Sequence, residues 1–423
     1  MRFHFVTLGC KVNQFETAAM TELLRRGGHE PCASDADAVI INTCAVTAES
    51  VRKSRQAVRR ARKDFPGAVI AVCGCASQAD EDEMAGLGAD LVGGSGDRAA
   101  FVEKLCALVS RRPAAPLLDA GDPMARREYE LLPAKAAEGR TRALLKVEDG
   151  CVNYCAYCII PHLRGPVRSL DAAQAAEQAK GLAAEGFKEI VLTGIELASW
   201  GRDLPGKPGL EALIREVALA VPDVRIRLGS LEPRVVTQEF TAALKTLPNI
   251  APHFHLSLQS GCDATLARMR RKYDTARFFE SVELLRGAFP LCGLTADLIC
   301  GFPGETDADA EETLRFIARC RFSDMHIFPF SPRPGTPAAV MDGRVPNAVK
   351  KARCAAAAEV ADKMRAGFLD SLLGSEQDVI FERGGVGHTG NYCLVSVPGM
   401  QPGRRARVRI TGRAGGELTG ELL

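Results

Sequence analysis

The residues best suited to do chemistry are three cysteines within one short segment. Cys151, Cys155 and Cys158 are spaced C-x3-C-x2-C, with no fourth cysteine nearby. A closed structural zinc site needs four ligands, whereas three thiolates can hold three irons of a [4Fe-4S] cluster and leave the fourth open. The spacing therefore favours an iron–sulfur centre that chelates a small molecule and passes it an electron. The alternative is a zinc knuckle closed by His162, with three residues between it and Cys158.

A second set of three cysteines is dispersed in sequence but equivalent in position. Cys10, Cys44 and Cys75 each come just past a predicted strand, and the three strands alternate with predicted helices. Ligands of open parallel sheets bind outside the carboxyl ends of the strands, so these thiols could converge on one point. We predict a second three-thiol site there, with three unrelated buried thiols as the alternative. Cys73 lies inside the third strand, and we expect it to belong to the core.

The strand and helix patterns predict an α/β protein with three folded parts. Residues 1–112 alternate strands and helices, which predicts a parallel sheet. Residues 113–140 are rich in Ala, Pro, Gly and charge and indicate a linker or an edge excursion. Residues 141–370 hold six strand-like segments with helical patterns between them, which predicts a partial (β/α)6 barrel with its active site at the carboxyl ends of the strands. Residues 371–423 predict a small C-terminal β-barrel.

Polar residues and glycines end successive strands of the central barrel, at the same mouth as the cysteine loop. Glycines let the backbone approach a ligand closely, and carboxylates and amides can hold the amine and ribose of an aminoacyl nucleoside. Each position alone is a weak signal, but their succession around one mouth predicts a cofactor site. The candidates are Gly194, Glu196, Ser230, Glu232, Gln259 and Asp297.

Length and composition limit the classes of protein to which the chain can belong. The chain has 423 residues and 46% hydrophobic content, and no apolar run is long enough to span a bilayer. The opening segment MRFHFV indicates a strand rather than a signal peptide. We therefore expect a cytoplasmic protein with no membrane partner. In that compartment the clustered cysteines, part of a total of fifteen, favour metal binding over disulfides.

Three groups of basic residues predict contacts with nucleic acid, although the formal net charge is only +2. Residues 51–63 contain seven basic side chains and no acid. A second group comprises Arg268, Arg270, Arg271 and Lys272. The third group, predicted to bind RNA from the C-terminal barrel, comprises Arg404, Arg405, Arg407 and Arg409. The alternative for each group is a solvated face.

Both cysteine sets lie in segments that resemble the radical S-adenosylmethionine (SAM) methylthiotransferase family. The matching segments are TLGCKVNQFE at 7–16, NTCAVT at 42–47, GCASQ at 74–78, the cysteine loop at 151–158 and GFPGET at 301–306. The resemblance implies SAM and two [4Fe-4S] clusters, a radical SAM cluster on the cysteine loop and an auxiliary cluster on the three strand-end cysteines. It also implies an electron donor as a partner and a C-terminal RNA-binding domain of the TRAM type.

The resemblance extends to one branch of that family. KVNQ after Cys10 and IIPHLRG after Cys158 are similar to the branch that methylthiolates carbon 2 of N6-threonylcarbamoyladenosine at tRNA position 37, in the anticodon stem-loop. Two alternatives are the branch acting on isopentenyladenosine of tRNA and the branch acting on an aspartate of a ribosomal protein. A third is a zinc-dependent RNA-binding module without catalysis.

A threonylcarbamoyl group carries a carboxylate, so its site should offer a cation or backbone N–H groups. Arg164 and Arg168 follow the cysteine loop and are candidates for this contact. The alternative is that each pairs with a local acid.

Overall fold

The computed structural model describes residues 1–111, 114–135 and 139–423. The predicted domain boundary at 112/113 and residues 136–138 of the predicted linker lie outside the described residues. No helix within these described ranges is long and apolar enough to cross a membrane.

The N-terminal part is a six-stranded parallel sheet covered by helices on both faces, as predicted. Strand order is β2-β1-β3-β4-β5-β6. β3 and β4 are buried along their whole length, which is typical of central strands in parallel sheets. The elements are β1 (Arg2–Thr7), α1 (Lys11–Arg26), β2 (Glu30–Pro31), β3 (Ala38–Thr43), α2 (Ala48–Asp64), β4 (Val69–Gly74), α3 (Cys75–Ala79), α4 (Glu81–Gly86), β5 (Leu91–Gly93), α5 (Arg98–Ser110) and β6 (Leu117–Asp119).

The predicted linker contains one strand that the sequence pattern did not reveal. β6 pairs with β5 in parallel and forms the edge of the N-terminal sheet. Its residues are exposed, so the segment lacks the buried apolar run by which the central strands were recognised. The observed excursion along the sheet edge is one of the two predicted alternatives.

The central part contains the six predicted strands, arranged as an arc. β7, β10 and β11 pair in parallel, as do β12 to β15, and β12 follows β11 after one residue to continue the arc. The elements are β7 (Ala143–Lys146), β8 (Glu148–Asp149), α6 (Ile160–Arg164), β9 (Arg168–Ser169), α7 (Ala172–Ala184), β10 (Glu189–Thr193), α8 (Leu210–Ala220), β11 (Arg225–Leu228), β12 (Ser230–Leu231), α9 (Gln238–Lys245), β13 (His253–Gln259), α10 (Asp263–Arg268), α11 (Thr275–Ala288), β14 (Gly293–Cys300), α12 (Asp307–Cys320), β15 (Asp324–Pro329) and α13 (Asn347–Ser371).

Helix starts follow from local chemistry at polar residues. Thr47, Asp171, Thr237 and Asp274 each accept a hydrogen bond from a backbone N–H in the first turn of the helix that follows. Thr306 forms a capping box before α12: its side chain accepts from the Asp309 backbone N–H, and the Asp309 carboxylate accepts from the Thr306 backbone N–H. These caps fix the residues at which the helices begin, and they therefore set the lengths of the loops that precede the helices.

The C-terminal part is a closed five-stranded barrel, consistent with a TRAM-like domain. Its strand order is β16-β17-β18-β20-β19. Two of its strands, β17 and β20, were not predicted, because each is short and rich in glycine or threonine. The strands are β16 (Glu376–Arg383), β17 (Val386–Thr389), β18 (Leu394–Ser396), β19 (Arg405–Ala414) and β20 (Glu417–Leu422).

A buried ionic cluster fastens this small barrel to the central part. Glu189 on β10 is fully buried and binds Arg225 at 2.6 Å and Arg227 at 2.8 Å. Arg225 in turn donates to the Asp378 carbonyl at 2.8 Å, and Arg227 donates to the Gly390 carbonyl at 3.0 Å. The C-terminal barrel is therefore docked against the base of the central arc.

Replacing Glu189 with glutamine should destabilise the protein in a pH-dependent way. Loss of one partner from a buried ion pair costs about 3 to 5 kcal/mol, so urea denaturation at pH 7 should show a deficit of that order. Burial opposes ionisation, but Arg227 and Arg225 hold the pKa of Glu189 far below its usual value. The carboxylate's stabilisation is therefore complete above about pH 4.3 and is lost only as the pH falls towards the folded pKa.

The deficit of the Glu189→Gln protein should accordingly shrink in acid. A Glu49→Gln control removes an exposed surface pair with Arg52 and should change the unfolding free energy by less than about 1 kcal/mol. Equal stability of the two variants at pH 7 would contradict the role given to Glu189.

Candidate active site

Cys10, Cys44 and Cys75 follow three strands that are neighbours in the N-terminal sheet. Cys10 immediately precedes α1, Cys44 comes directly after β3, and Cys75 is the first residue of α3. Because β1, β3 and β4 are adjacent, their carboxyl ends lie side by side. Gly9 has a left-handed φ of +102°, and a Cβ there would lie 2.8 Å from the Cβ of Cys44. Glycine thus allows the two chain segments to approach closely.

These three thiols lie close together, with Cys44 and Cys75 buried and Cys10 exposed. Burial raises the pKa of Cys75 to about 11; Arg164 lowers it, and the Cys10 and Cys44 thiols raise it further. The structure therefore brings the three predicted thiols together, and their role as ligands stays a prediction.

Cys73 belongs to the opposite face of the sheet. Its side chain is fully buried in a core that includes Phe3 and Leu105. Cys75 instead packs with Ala45 and Leu163, at the side that faces the cysteine loop. Strand alternation alone would put positions 73 and 75 on one face, but β4 ends at Gly74, whose left-handed φ of +107° turns the chain so that Cys75 begins α3 on the other side.

The loop with Cys151, Cys155 and Cys158 runs between β8 and α6, at the carboxyl end of the first barrel strand. Arg271 donates from Nη1 to the Cys155 sulfur at 3.1 Å. Burial raises the pKa of Cys158 to about 12, and Cys155 and Cys75 are among the neighbours that raise it further. Ile159 and Ile160, directly after Cys158, pack against the apolar cluster that contains Cys75, and Arg164 donates to the Cys75 sulfur at 3.4 Å. The two cysteine sets therefore lie on either side of the interface between the N-terminal and central parts.

The geometry does not suit a zinc knuckle. Zinc–sulfur bonds of about 2.3 Å in a tetrahedron place the sulfurs about 3.8 Å apart. Among the described residues, no three of the cysteines, with or without His162, bring their ligand atoms within 4.8 Å of one another. The His162 ring instead packs edge-on against Tyr154, 5.6 Å away. Within the described residues, these cysteines and His162 therefore do not form a closed zinc site.

Arg164 connects the two halves of the site. Its side chain is completely buried and donates to Glu16 at 2.5 Å, to Asn13 at 2.9 Å and to the Cys75 sulfur at 3.4 Å. It also contacts Asp149, on the central part, at 3.3 Å. One guanidinium therefore touches α1, the strand-end cysteines and the start of the cysteine loop.

The ionic network around Arg164 has an excess of positive charge. Besides Arg164, it contains the buried cations Arg98, Lys146 and Arg168, which share the carboxylates of Glu16 and Asp149. Arg164, Arg98 and Lys146 outweigh the effect of burial and hold the pKa of Glu16 well below its usual value. Four cations thus face two carboxylates in this network. Because unpaired buried cations are costly, thiolates carrying an anionic cluster would complete the charge balance.

This geometry overturns the prediction that Arg164 or Arg168 binds the substrate carboxylate. Both side chains are buried. Arg168 donates to the carbonyls of Arg164 and Pro166, at 3.0 and 2.6 Å, and pairs with Asp149. The alternative of pairing with a local acid is the correct one, because burial in the interface leaves neither cation free for a ligand.

Glu196 and Gly194 lie beside the cysteine loop, as predicted for a cofactor site. Asn153, within the loop, donates to the Glu196 carboxylate. The Glu196 backbone N–H donates to Glu148 at 2.8 Å, and a Cβ on Gly194 would lie only 2.5 Å from the same Glu148 oxygen. Burial, followed by the nearby Glu232 carboxylate, raises the pKa of Glu196. These acids therefore face one compartment at the barrel mouth.

Glu148 is a candidate that the sequence interpretation missed. It is fully buried, its Oε1 has no hydrogen-bond partner among the described residues, and its pKa is raised well above its usual value by burial. Its oxygen without a partner leaves the carboxyl group available to contact a ligand. In the sequence, the only feature that could have indicated Glu148 is its position directly before the cysteine loop.

The remaining cofactor candidates are dispersed along the other strands. Gln259 is buried with a left-handed φ of +69°, and Ser230 shares a hydrogen bond of 2.9 Å with Ser257. Asp297 pairs with His255 at 3.2 Å, and His326 lies beside them, so that one ligand atom from each is within 4.8 Å of the others. Asp297 therefore belongs with the histidines inside the arc rather than with Glu196.

A cavity of about 830 Å³ lies where the three parts meet, and we call it the interface cavity. Its walls include Lys11 on α1, His255 and His326 inside the arc, and Tyr392 on the C-terminal barrel. Among the described lining residues, seven are lysine or arginine and four are histidine, against two acids. The cavity therefore suits an anionic ligand.

The basic groups differ in their exposure. Arg271, expected on an RNA-binding face, is instead at the Cys155 sulfur, and Arg268 pairs with Asp309. On the C-terminal barrel, Arg407 and Arg409 share Glu376 and are 65% and 56% exposed. Their exposure leaves them available to RNA, which stays a prediction, as does the role of exposed Arg404.

Arginines at two further positions, on the C-terminal barrel and on α2, form ion pairs with acidic side chains. Arg405 pairs with Asp378 and donates to the Asp223 carbonyl at 2.7 Å, so it helps to dock the barrel. On α2, Arg55 pairs with Glu83 and Arg62 with Asp90. These contacts reduce the surface that the basic groups offer to RNA.

Comparison with known proteins agrees with this arrangement. The Radical SAM superfamily model matches residues 145–317, and the Uncharacterized protein family UPF0004 model matches residues 2–94. The threonylcarbamoyladenosine tRNA methylthiotransferase MtaB of Bacillus subtilis is 37% identical, with 96% of this chain and 93% of the relative covered. This chain belongs to the radical SAM methylthiotransferase family.

Other relatives carry two different names. MtaB of Thermotoga maritima is 37% identical over 89% of this methylthiotransferase and 85% of the relative. The tRNA-2-methylthio-N(6)-dimethylallyladenosine synthase of Moorella thermoacetica is 33% identical over 100% of this chain and 98% of the relative. Family membership brings with it an iron–sulfur cluster and SAM.

Solved structures confirm the fold. The radical SAM methyltransferase TsrM of Kitasatospora setae superposes with a TM-score of 0.60 at 14% identity, with 80% of the methylthiotransferase and 77% of TsrM covered. The radical SAM enzyme OxsB gives a TM-score of 0.54 at 11% identity, with 86% and 56% covered. At such low identity the likeness concerns the fold alone.

Replacing Arg164 with methionine should loosen the interface that carries the site. The variant leaves Glu16 and Asp149 without their shared partner, so the unfolding free energy should fall by about 3 to 5 kcal/mol. Hydrogen–deuterium exchange should rise in α1 and α6 before it rises in the C-terminal barrel. An Arg26→Met control removes a surface pair with Glu22 and should cost less than about 1 kcal/mol. Equal exchange in the wild type and the Arg164 variant would refute this linkage.

Proposed function

We propose that this methylthiotransferase adds a methylthio group to carbon 2 of N6-threonylcarbamoyladenosine at position 37 of tRNA. The observation that carries the proposal is the cationic interface cavity, whose wall includes Lys11, the residue next to Cys10 in the chain. A threonylcarbamoyl group carries a carboxylate, whereas an isopentenyl group is apolar and would leave cations without partners. The five MtaB relatives, at 32–37% identity, support the same choice. Three relatives named as dimethylallyladenosine synthases overlap that range at 31–35%, so the cavity chemistry is the stronger argument.

The proposal includes two [4Fe-4S] clusters. Cys151, Cys155 and Cys158 would hold the cluster that binds SAM, and the strand-end cysteines would hold the auxiliary cluster. When bound, these groups supply one-electron reduction, radical chemistry and sulfur, which an inert aromatic C–H bond requires. The two thiol sets face each other, so a base between them would be accessible to both.

The chain's own residues would bind and orient the clusters, SAM and the tRNA. Arg271 and Arg164 each donate a hydrogen bond to a cysteine sulfur, and such contacts tune the potentials of iron–sulfur clusters. Glu196 and Glu148 offer two carboxyl groups to SAM at the mouth of the arc. Enzymes that modify a base commonly take it out of the stack, and exposed Arg404, Arg407 and Arg409 would grip the phosphates of the anticodon stem-loop.

Iron content tests the two clusters. The wild type should bind about eight irons per chain after anaerobic reconstitution. Replacing all three loop cysteines with alanine should halve the iron and abolish SAM cleavage. Cys75→Ser should lose one cluster and still cleave SAM, whereas the matched control Cys73→Ser should keep all the iron, because Cys73 packs on the opposite face of the sheet. Fewer than about four irons in the wild type would rule out the second cluster.

Substrate choice tests the branch. Purified enzyme is supplied with tRNA bearing threonylcarbamoyladenosine or isopentenyladenosine, and the nucleosides are analysed by mass spectrometry. We expect the 2-methylthio product on the threonylcarbamoyl tRNA and little or none on the other. Equal or faster reaction of the isopentenyl tRNA would overturn the branch assignment and leave the cluster assignments intact.

A further inference from the structure

We propose that Lys11 is the residue that binds the carboxylate of the threonylcarbamoyl group. This inference rests on the proposed function and assigns its substrate selectivity to one side chain. Lys11 is the first residue of α1, is exposed, and lines the interface cavity. It directly follows Cys10 in the chain, so its backbone lies next to a proposed ligand of the auxiliary cluster.

Most other cations of the interface cavity are already paired. Arg142 binds Glu382 at 2.7 Å, Arg227 binds Glu189 at 2.8 Å, and Arg365 pairs with Asp324. Lys11 makes no ion pair or side-chain hydrogen bond within the described parts of the chain. It is therefore free to take an anionic ligand without breaking an existing contact.

The charge of Lys11 acts on the inside of the barrel. His253, on β13, is buried and lines the same cavity. Burial lowers the pKa of His253 far below its usual value, and the positive neighbours Arg227, His255 and Lys11 lower it further. Lys11 on α1 and His253 on the arc line the same cavity, so the Lys11 ammonium can contact a ligand that is bound between α1 and the arc.

Arg140 and Arg383 are the other cavity cations without a partner among the described residues. Neither is next in sequence to one of the proposed cluster ligands. The N6 substituent is attached at carbon 6 of the six-membered ring that also contains carbon 2, so the group that binds the substituent must lie near the site of sulfur insertion. Lys11 meets this condition because it is the next residue after Cys10, whereas the two arginines suit contacts with phosphate.

Binding measurements test the inference on the reconstituted full-length protein. The probes are anticodon stem-loop oligonucleotides with position 37 as adenosine, threonylcarbamoyladenosine, its neutral methyl ester, or isopentenyladenosine. Wild type should bind the acid about tenfold or more tightly than the ester, the effect of one charge-assisted hydrogen bond. Lys11→Gln should remove this preference, and Lys11→Arg should keep most of it.

Arg383→Gln is the matched control, since it removes an unpaired cation from the same cavity. It should weaken all four probes by a similar factor and preserve the preference for the acid. A preference retained in Lys11→Gln would overturn the role of Lys11 and leave the proposed function standing. A wild type that prefers the isopentenyl probe would overturn the proposed function, and the inference with it.

A second measurement needs no substitution and so does not depend on the variant keeping its iron. Carbodiimide activation of the carboxylate on the bound probe forms an amide with the nearest lysine amine and releases the activating group as a urea. Peptide mass spectrometry of wild type should find the nucleoside on Lys11. Attachment to Lys135, the other lysine of the cavity, or to none would refute the assignment.

Discussion

The buried guanidinium of Arg164 is the contact on which the architecture of the site depends. It joins Glu16 on α1, Asp149 at the cysteine loop and the Cys75 sulfur through one rigid, planar group. A buried ion pair is weak grounds for claiming extra stability, since desolvation offsets most of its attraction. Its effect here is geometric, because few orientations of the two parts satisfy all of these hydrogen bonds at once. The facing of the two cysteine sets follows from that constraint.

A second ionic centre fixes the other end of the molecule. Glu189 with Arg225 and Arg227 docks the C-terminal barrel at the base of the arc, and Tyr392 lies between the guanidiniums of Arg142 and Arg227 at 5.0 and 4.7 Å. Arg142 and Arg227 of this second centre line the interface cavity and add to its positive charge. The cavity therefore suits an anionic ligand, and RNA and an acidic substituent are both anionic.

The sequence patterns predicted most of the fold but less of the site. The six predicted barrel strands and four strands of the N-terminal sheet were predictable, because most of their apolar runs are buried. β2, β6, β17 and β20 were missed, since each is short, exposed or interrupted by glycine and threonine. Arg271 looked like part of an RNA-binding group, yet it contacts Cys155, because a side chain's partner depends on strands that are distant in sequence.

By itself the sequence determined which thiols are available and where their strands end, because spacing within a loop and position after a strand are local properties. It also placed polar groups at the barrel mouth. Only the tertiary structure decided how the charges are used. Arg164 and Arg168 are adjacent to the cysteine loop in sequence but become buried against Glu16 and Asp149, while Lys11 remains free on the cavity wall. The reason is that burial and pairing arise from packing between the three parts, which no local pattern encodes.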